Sequence, residues 1–69
     1  MVSTETLGDR IRLLRLARRW SQRRLANEIC CSRMTITNWE NGVTSPGQIY
    51  KDKLACVFGV TVEELEGAK

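Results

Sequence analysis

Apolar residues return along this 69-residue chain at helical spacing, in short bursts separated by caps and breakers. Leu7, Ile11 and Leu14 recur at i, i+4 and i+7, which predicts a first helix over about residues 6–18. Thr6 is placed to cap it, and Asp9 in the first turn suits the positive end of the helix dipole. Leu13 and Leu16 fall off the stripe; they are either ordinary surface leucines or a satellite contact with another subunit. A joint at Arg19 and Trp20 leads to Ser21, the cap of a second helix whose Leu25, Ala26 and Ile29 share one face. Ser32 caps a third helix. There Ile36, Trp39 and Glu40 point one way, while Arg33, Met34, Thr37 and Asn38 lie on or beside the opposite face. Only Cys30 and Cys31 remain to turn the corner between these two helices, so they must meet at a steep angle.

Asn41-Gly42 stops the third helix, because glycine accepts the left-handed backbone that ends helices. A loop over residues 43–47 follows, with Ser45-Pro46 disfavouring helix. A fourth helix over roughly residues 48–58 offers Ile49, Tyr50, Leu54, Val57 and Phe58 to a core, although Lys51, Asp52 and Lys53 interrupt its start. Gly59 closes it, and Thr61 with Glu64 forms a capping box for a last helix of one to two turns. The pattern predicts an all-α architecture of five short helices, without strands or repeats. Leu25, Ala26, Ile29, Cys31, Ile36, Trp39, Leu54 and Phe58 are its expected core.

Composition narrows the reading. Hydrophobic residues make up 42% of the chain and there is one proline, which fits a globular domain rather than a disordered segment. A single domain over residues 1–69 is expected, with 1–5 flexible. No run approaches a membrane span, and residues 1–6 lack the regions of a secretion signal, so a cytoplasmic location is expected and no membrane partner. The net charge of +3 is unevenly spread: residues 1–40 carry eight arginines against four acids, and residues 41–69 three lysines against four. That asymmetry fits either a polyanion met from one side or a solvated charged face. Three cysteines, two of them adjacent, and no histidine make a poor metal set; packing is the first reading of the thiols, with oxidation of Cys30 a lesser one. With no histidine, no phosphate-cradling glycine loop and no nucleophile beside a base, an enzyme is not expected, nor is a cofactor or small-molecule ligand. A helix with an outer row of arginine, amide and methyl-bearing side chains has the width to enter the DNA major groove, roughly 12 Å across.

The residues resemble the phage-repressor and Cro-like helix-turn-helix domains, the Xre family. The likeness runs from Leu7-Gly8-Asp9-Arg10-Ile11-Arg12 through Trp20-Ser21-Gln22-x-x-Leu25-Ala26, Ser32-Arg33-x-Thr35-Ile36-x-x-Trp39-Glu40-Asn41-Gly42 and Ser45-Pro46 to Leu54-Ala55 and Gly59-Val60-Thr61-Val62-x-x-Leu65. It implies a lambda-repressor-like domain of five helices that inserts its third helix into the major groove of double-stranded DNA, usually as a dimer on a two-fold operator. Carried over by position, Arg33, Met34 and Asn38 would reach base edges, with Thr35 and Thr37 beside them. Side-chain chemistry agrees: arginine spans guanine O6 and N7, asparagine pairs with adenine, and methionine covers a thymine methyl. Ser21, Gln22, Asn41, Thr44 and Ser45 would meet phosphates. Arg15 and Glu40 match a partly buried salt bridge, and Val60, Val62 and Leu65 a dyad contact of a weak homodimer that forms on DNA.

Arg19 and Cys30 depart from the resemblance, standing where glycine commonly follows a helix; a left-handed backbone there would cost each roughly 1 kcal/mol. The expected function is sequence-specific DNA binding by a transcriptional repressor. The alternative is an antitoxin or protein-binding adaptor built on the same fold.

Overall fold

The computed structural model describes residues 6–66. Within them the chain forms five helices, α1 (Leu7–Ala17), α2 (Gln22–Ile29), α3 (Arg33–Glu40), α4 (Gln48–Phe58) and α5 (Val62–Leu65). The described residues form no strand, and no helix among them is long and apolar enough to cross a membrane. The expectation of flexibility at residues 1–5 lies outside the described residues.

Hydroxyl caps begin four of the helices. Thr6 Oγ1 accepts from the Asp9 N–H, Ser21 from Arg24, Ser32 from Thr35 and Thr61 from Glu64. Thr6–Asp9 and Thr61–Glu64 are full capping boxes, in which the acid returns a bond to the cap's own N–H. The α4 start has only Gly47 and no side-chain cap.

The helix ends share a second device. Trp20 N–H reaches Arg15 O, Cys31 reaches Ala26, Val43 reaches Asn38 and Val60 reaches Ala55, each bond spanning five residues around one left-handed residue. Those residues are Arg19 (φ 58°), Cys30 (φ 61°), Gly42 (φ 78°) and Gly59 (φ 70°). The first two carry side chains, so the expected strain at the corners on either side of α2 is present.

Ile11, Leu25, Ala26, Ile29, Ile36, Trp39, Leu54, Phe58 and Leu65 fuse into one core. α1 packs on α3 and α5, α2 on α3 and α4, and α4 on α5, so every helix contributes to it. Gly8 permits the close approach of α1 to the end of α3: a Cβ there would run into the Trp39 carbonyl oxygen.

Three expectations need correction. Ile49, placed in the core from its spacing, is 72% exposed, because α4 turns its Leu54 and Phe58 inward instead. Cys31 is half-buried at the edge of the core rather than within it. Leu65, expected at a dimer dyad, is 0% exposed and belongs to the core, so no partner chain can touch its side chain.

Candidate nucleic-acid interface

The α2–corner–α3 unit carries the site. Ile36, Trp39 and Glu40 turn α3 inward, and Trp39 seats its ring 5.3 Å from that of Tyr50 on α4. That anchoring leaves Arg33 and Met34 exposed, Met34 at 60%, with Thr37 and Asn38 half-buried beside them. Thr35 is half-buried near the start of α3 and ties its hydroxyl to Ser32 Oγ at 2.9 Å, which turns it toward the cap. At the other end, the Asn38 carbonyl accepts from Val43 and Thr44, fixing the loop that holds Asn41, Thr44 and Ser45, all exposed. Ser21 and Gln22 stand at the start of α2, where the first N–H groups of a helix lack partners of their own.

Beneath this surface lies a buried charge. Glu40 is 4% exposed and Arg15, on α1, 8%. Arg15 Nε donates to Glu40 Oε2 at 2.7 Å and Arg15 Nη2 to Oε1 at 3.1 Å, a two-point grip whose geometry is strong for such pairs. The same guanidinium gives Nη1 to the Trp20 carbonyl at 2.8 Å and thereby pins the α1–α2 joint. Gln22 Nε2 donates to Glu40 Oε1 at 3.1 Å, and Arg12 Nε approaches the same oxygen at 3.4 Å. Burial alone would raise the Glu40 carboxyl. Hydrogen bonds from Arg15, Gln22 and Arg12, with the Arg15 charge, outweigh it and hold the carboxyl below its ordinary value.

From this charge two paths lead outward. Gln22 turns its Oε1 toward α3, where Thr37 Oγ1 donates at 3.0 Å and Arg33 Nη1 rests at 3.5 Å. Arg12 donates to Asn41 Oδ1 at 3.3 Å, which leaves the Asn41 amide N–H groups facing away. Farther along α2, Arg24 stacks 4.9 Å above Trp20 and pairs with Glu28 at 2.8 Å.

The structure thus brings Ser21, Gln22, Arg33, Met34, Thr37 and Asn38 to one corner and joins Arg15 to Glu40. Val60 and Val62 are half-buried near α5, away from that corner in the chain, and Leu65 is not available there at all. Sequence reasoning passed over Arg12, although its place three residues before Arg15 puts both on one face of α1. It also gave Gln22 only an outward role, since no local pattern says that an amide reaches a carboxylate eighteen residues away.

Comparison with known proteins agrees with this geometry. The Helix-turn-helix family model matches residues 11–65. None of the curated proteins matches the chain. The P22 c2 repressor, solved with a synthetic operator, is 24% identical over 96% of this chain and 100% of that one, at a TM-score of 0.89. The restriction-modification controller protein C.AhdI from Aeromonas hydrophila is 30% identical over 86% of this chain and 89% of that one, at a TM-score of 0.79. The N-terminal DNA-binding domain of SinR from Bacillus subtilis is 23% identical over 86% of this chain and 87% of that one, also at 0.79. By the extent of the family match and the arrangement of its five helices, this chain belongs to the helix-turn-helix family, among the phage-repressor and Cro-like domains.

Proposed function

We propose that this chain is a transcriptional regulator, a repressor, that binds double-stranded DNA by sequence and lays α3 in the major groove. The observation that carries this reading is the division of α3: Ile36, Trp39 and Glu40 bury one side, and the side left open holds Arg33, Met34, Thr37 and Asn38. Arg33 would span guanine, Asn38 adenine and Met34 a thymine methyl, each good bidentate pair discriminating by about 1–3 kcal/mol. Thr35 acts through the Ser32 cap more than at a base edge. Ser21, the second amide hydrogen of Gln22, Asn41, Thr44 and Ser45 would take phosphates on either flank and set the register without reading sequence. The excess of arginine in residues 1–40 supports a polyanion partner, and so does the solved complex of the P22 c2 repressor with its operator.

Two copies would sit on a two-fold operator with half-sites about one helical turn, roughly 34 Å, apart. Val60 and Val62 are the residues of the expected dyad contact that keep some exposure. So small a contact gives a weak homodimer that assembles on DNA, and the regulator works by occupying a promoter. The test is binding to duplex DNA across a salt series. A phosphate-contacting protein loses affinity steeply with ionic strength. A flat response, or no binding, would favour the protein-binding adaptor.

A further inference from the structure

Gln22 is bracketed by two groups that fix which way its amide faces. Glu40, ionised, can only accept hydrogen bonds, so the Gln22 nitrogen must face it, at 3.1 Å from Oε1. Arg33 can only donate, so the Gln22 oxygen must face α3, where Nη1 lies 3.5 Å away. The Thr37 hydroxyl completes the arrangement. It donates to the same oxygen at 3.0 Å, closer than its alternative acceptor, the Arg33 carbonyl at 3.2 Å. Were the amide reversed, its N–H groups would oppose the guanidinium and its oxygen would oppose the carboxylate. Glu40 cannot itself turn, because Arg15 holds both of its oxygens.

We propose that Glu40 is a positioning residue for base recognition: through Gln22 it presents an acceptor to Arg33 and Thr37, so the base chosen opposite Arg33 depends on a carboxylate in the core. This rests on the DNA-reading role of α3 proposed above. A long arginine side chain at an exposed helix position samples many rotamers, and ordering it costs free energy when it binds. An acceptor fixed at its base confines the guanidinium before DNA arrives. Gln22 is then a determinant of specificity as well as a phosphate neighbour. Its acceptor is aimed at α3 because the interior is charged.

The experiment begins with selection of preferred duplexes by the intact wild-type chain from a random pool. Affinity is then measured for the preferred site and for its single-base variants. Gln22→Met keeps the length of the side chain and removes both polar ends. It is expected to cut the discrimination at the one position read by Arg33 by about tenfold, within the span of one bidentate pair, and to leave the other positions unchanged. Glu40→Gln is expected to give the same narrow loss, and thermal melts establish that it folds; if it does not, Glu40→Asp, which draws the carboxylate back from Gln22, is measured in its place, and unchanged discrimination in the folded Glu40 variant overturns the proposal. A loss of affinity that is the same on every sequence, with discrimination at the Arg33 position unchanged, would make Gln22 a phosphate clamp only and overturn the proposal. A wild-type chain that selects no preferred duplex would instead remove the DNA-reading function itself, and this inference with it.

Discussion

Arg15 holds Glu40 at two points, 2.7 Å and 3.1 Å, across the seam between α1 and α3, with both side chains out of water. Arg12 and Gln22 also donate to the Glu40 carboxylate, and Arg15 also donates to the Trp20 carbonyl. Burying two charges is expensive, and their attraction repays it only where the remaining donors and acceptors are satisfied. Here they are: among the described residues no buried side-chain nitrogen or oxygen lacks a partner.

Removing one member should therefore cost more than a surface pair would. Arg15→Ala leaves Glu40 Oε2 without its donor and Oε1 with only Gln22 and Arg12, and it frees the Trp20 carbonyl, so we expect a loss of about 3 kcal/mol in chemical denaturation. Arg24→Ala, which breaks the exposed pair with Glu28 and the stacking on Trp20, is expected to cost about 1 kcal/mol. Equal losses for the two would show that the buried pair carries no special weight.

Acid should act through the same carboxyl. Glu40 is held below its ordinary value in the folded chain, so it contributes stability above the unfolded value of about 4.3. That contribution is lost as pH falls through the lower folded value. Denaturation midpoints measured from pH 7 downward should hold to about pH 5 and then drop, and Glu40→Gln should flatten that part of the drop.

The left-handed corners predict a gain. Cys30 and Arg19 carry side chains at φ 61° and 58°, against a steric cost of about 1–2 kcal/mol that glycine avoids. Glycine gives back about 0.5–1 kcal/mol in chain entropy. Cys30→Gly and Arg19→Gly should each raise stability by about 0.5–1 kcal/mol, read from the urea midpoint.

Gly8 predicts a loss where helix propensity alone predicts a gain. Alanine is worth roughly 1 kcal/mol more than glycine in an unconstrained helix. At this position its Cβ would meet the Trp39 carbonyl and crowd the Glu40 backbone, forcing α1 away from α3. Gly8→Ala should destabilise by about 1–3 kcal/mol, and a stabilised variant would contradict the close packing of these helices.

Much of this fold can be read from local spacing. The i, i+4, i+7 stripe of Leu7, Ile11 and Leu14, the hydroxyls at Thr6, Ser21, Ser32 and Thr61, and the breakers Gly42 and Gly59 mark every helix because each acts within one turn of its own position. What spacing cannot give is the neighbour. Ile49 and Leu54 are both apolar residues on α4, yet one is in water and the other fully buried, since that depends on where α2 and α5 lie. The resemblance puts Leu65 at a dyad contact, but α5 packs against α1, where Arg10 Nε bonds the Glu64 carbonyl at 3.0 Å, and Leu65 is buried in the core. The corner was legible in Arg33, Met34 and Asn38, whose chemistry is outward. The Glu40–Gln22–Arg33 path was not, because its members come from α3 and α2 and meet only after folding.

Whether the open face of α3 reads bases is decided by comparing the wild-type chain with Arg33→Ala in parallel selections from random duplexes. The wild type should enrich a two-fold sequence with half-sites about one helical turn apart. The variant should lose preference at one base pair of each half-site, while its affinity for non-specific duplex changes little. Identical preferences for both proteins, or no enriched sequence for either, would contradict the account.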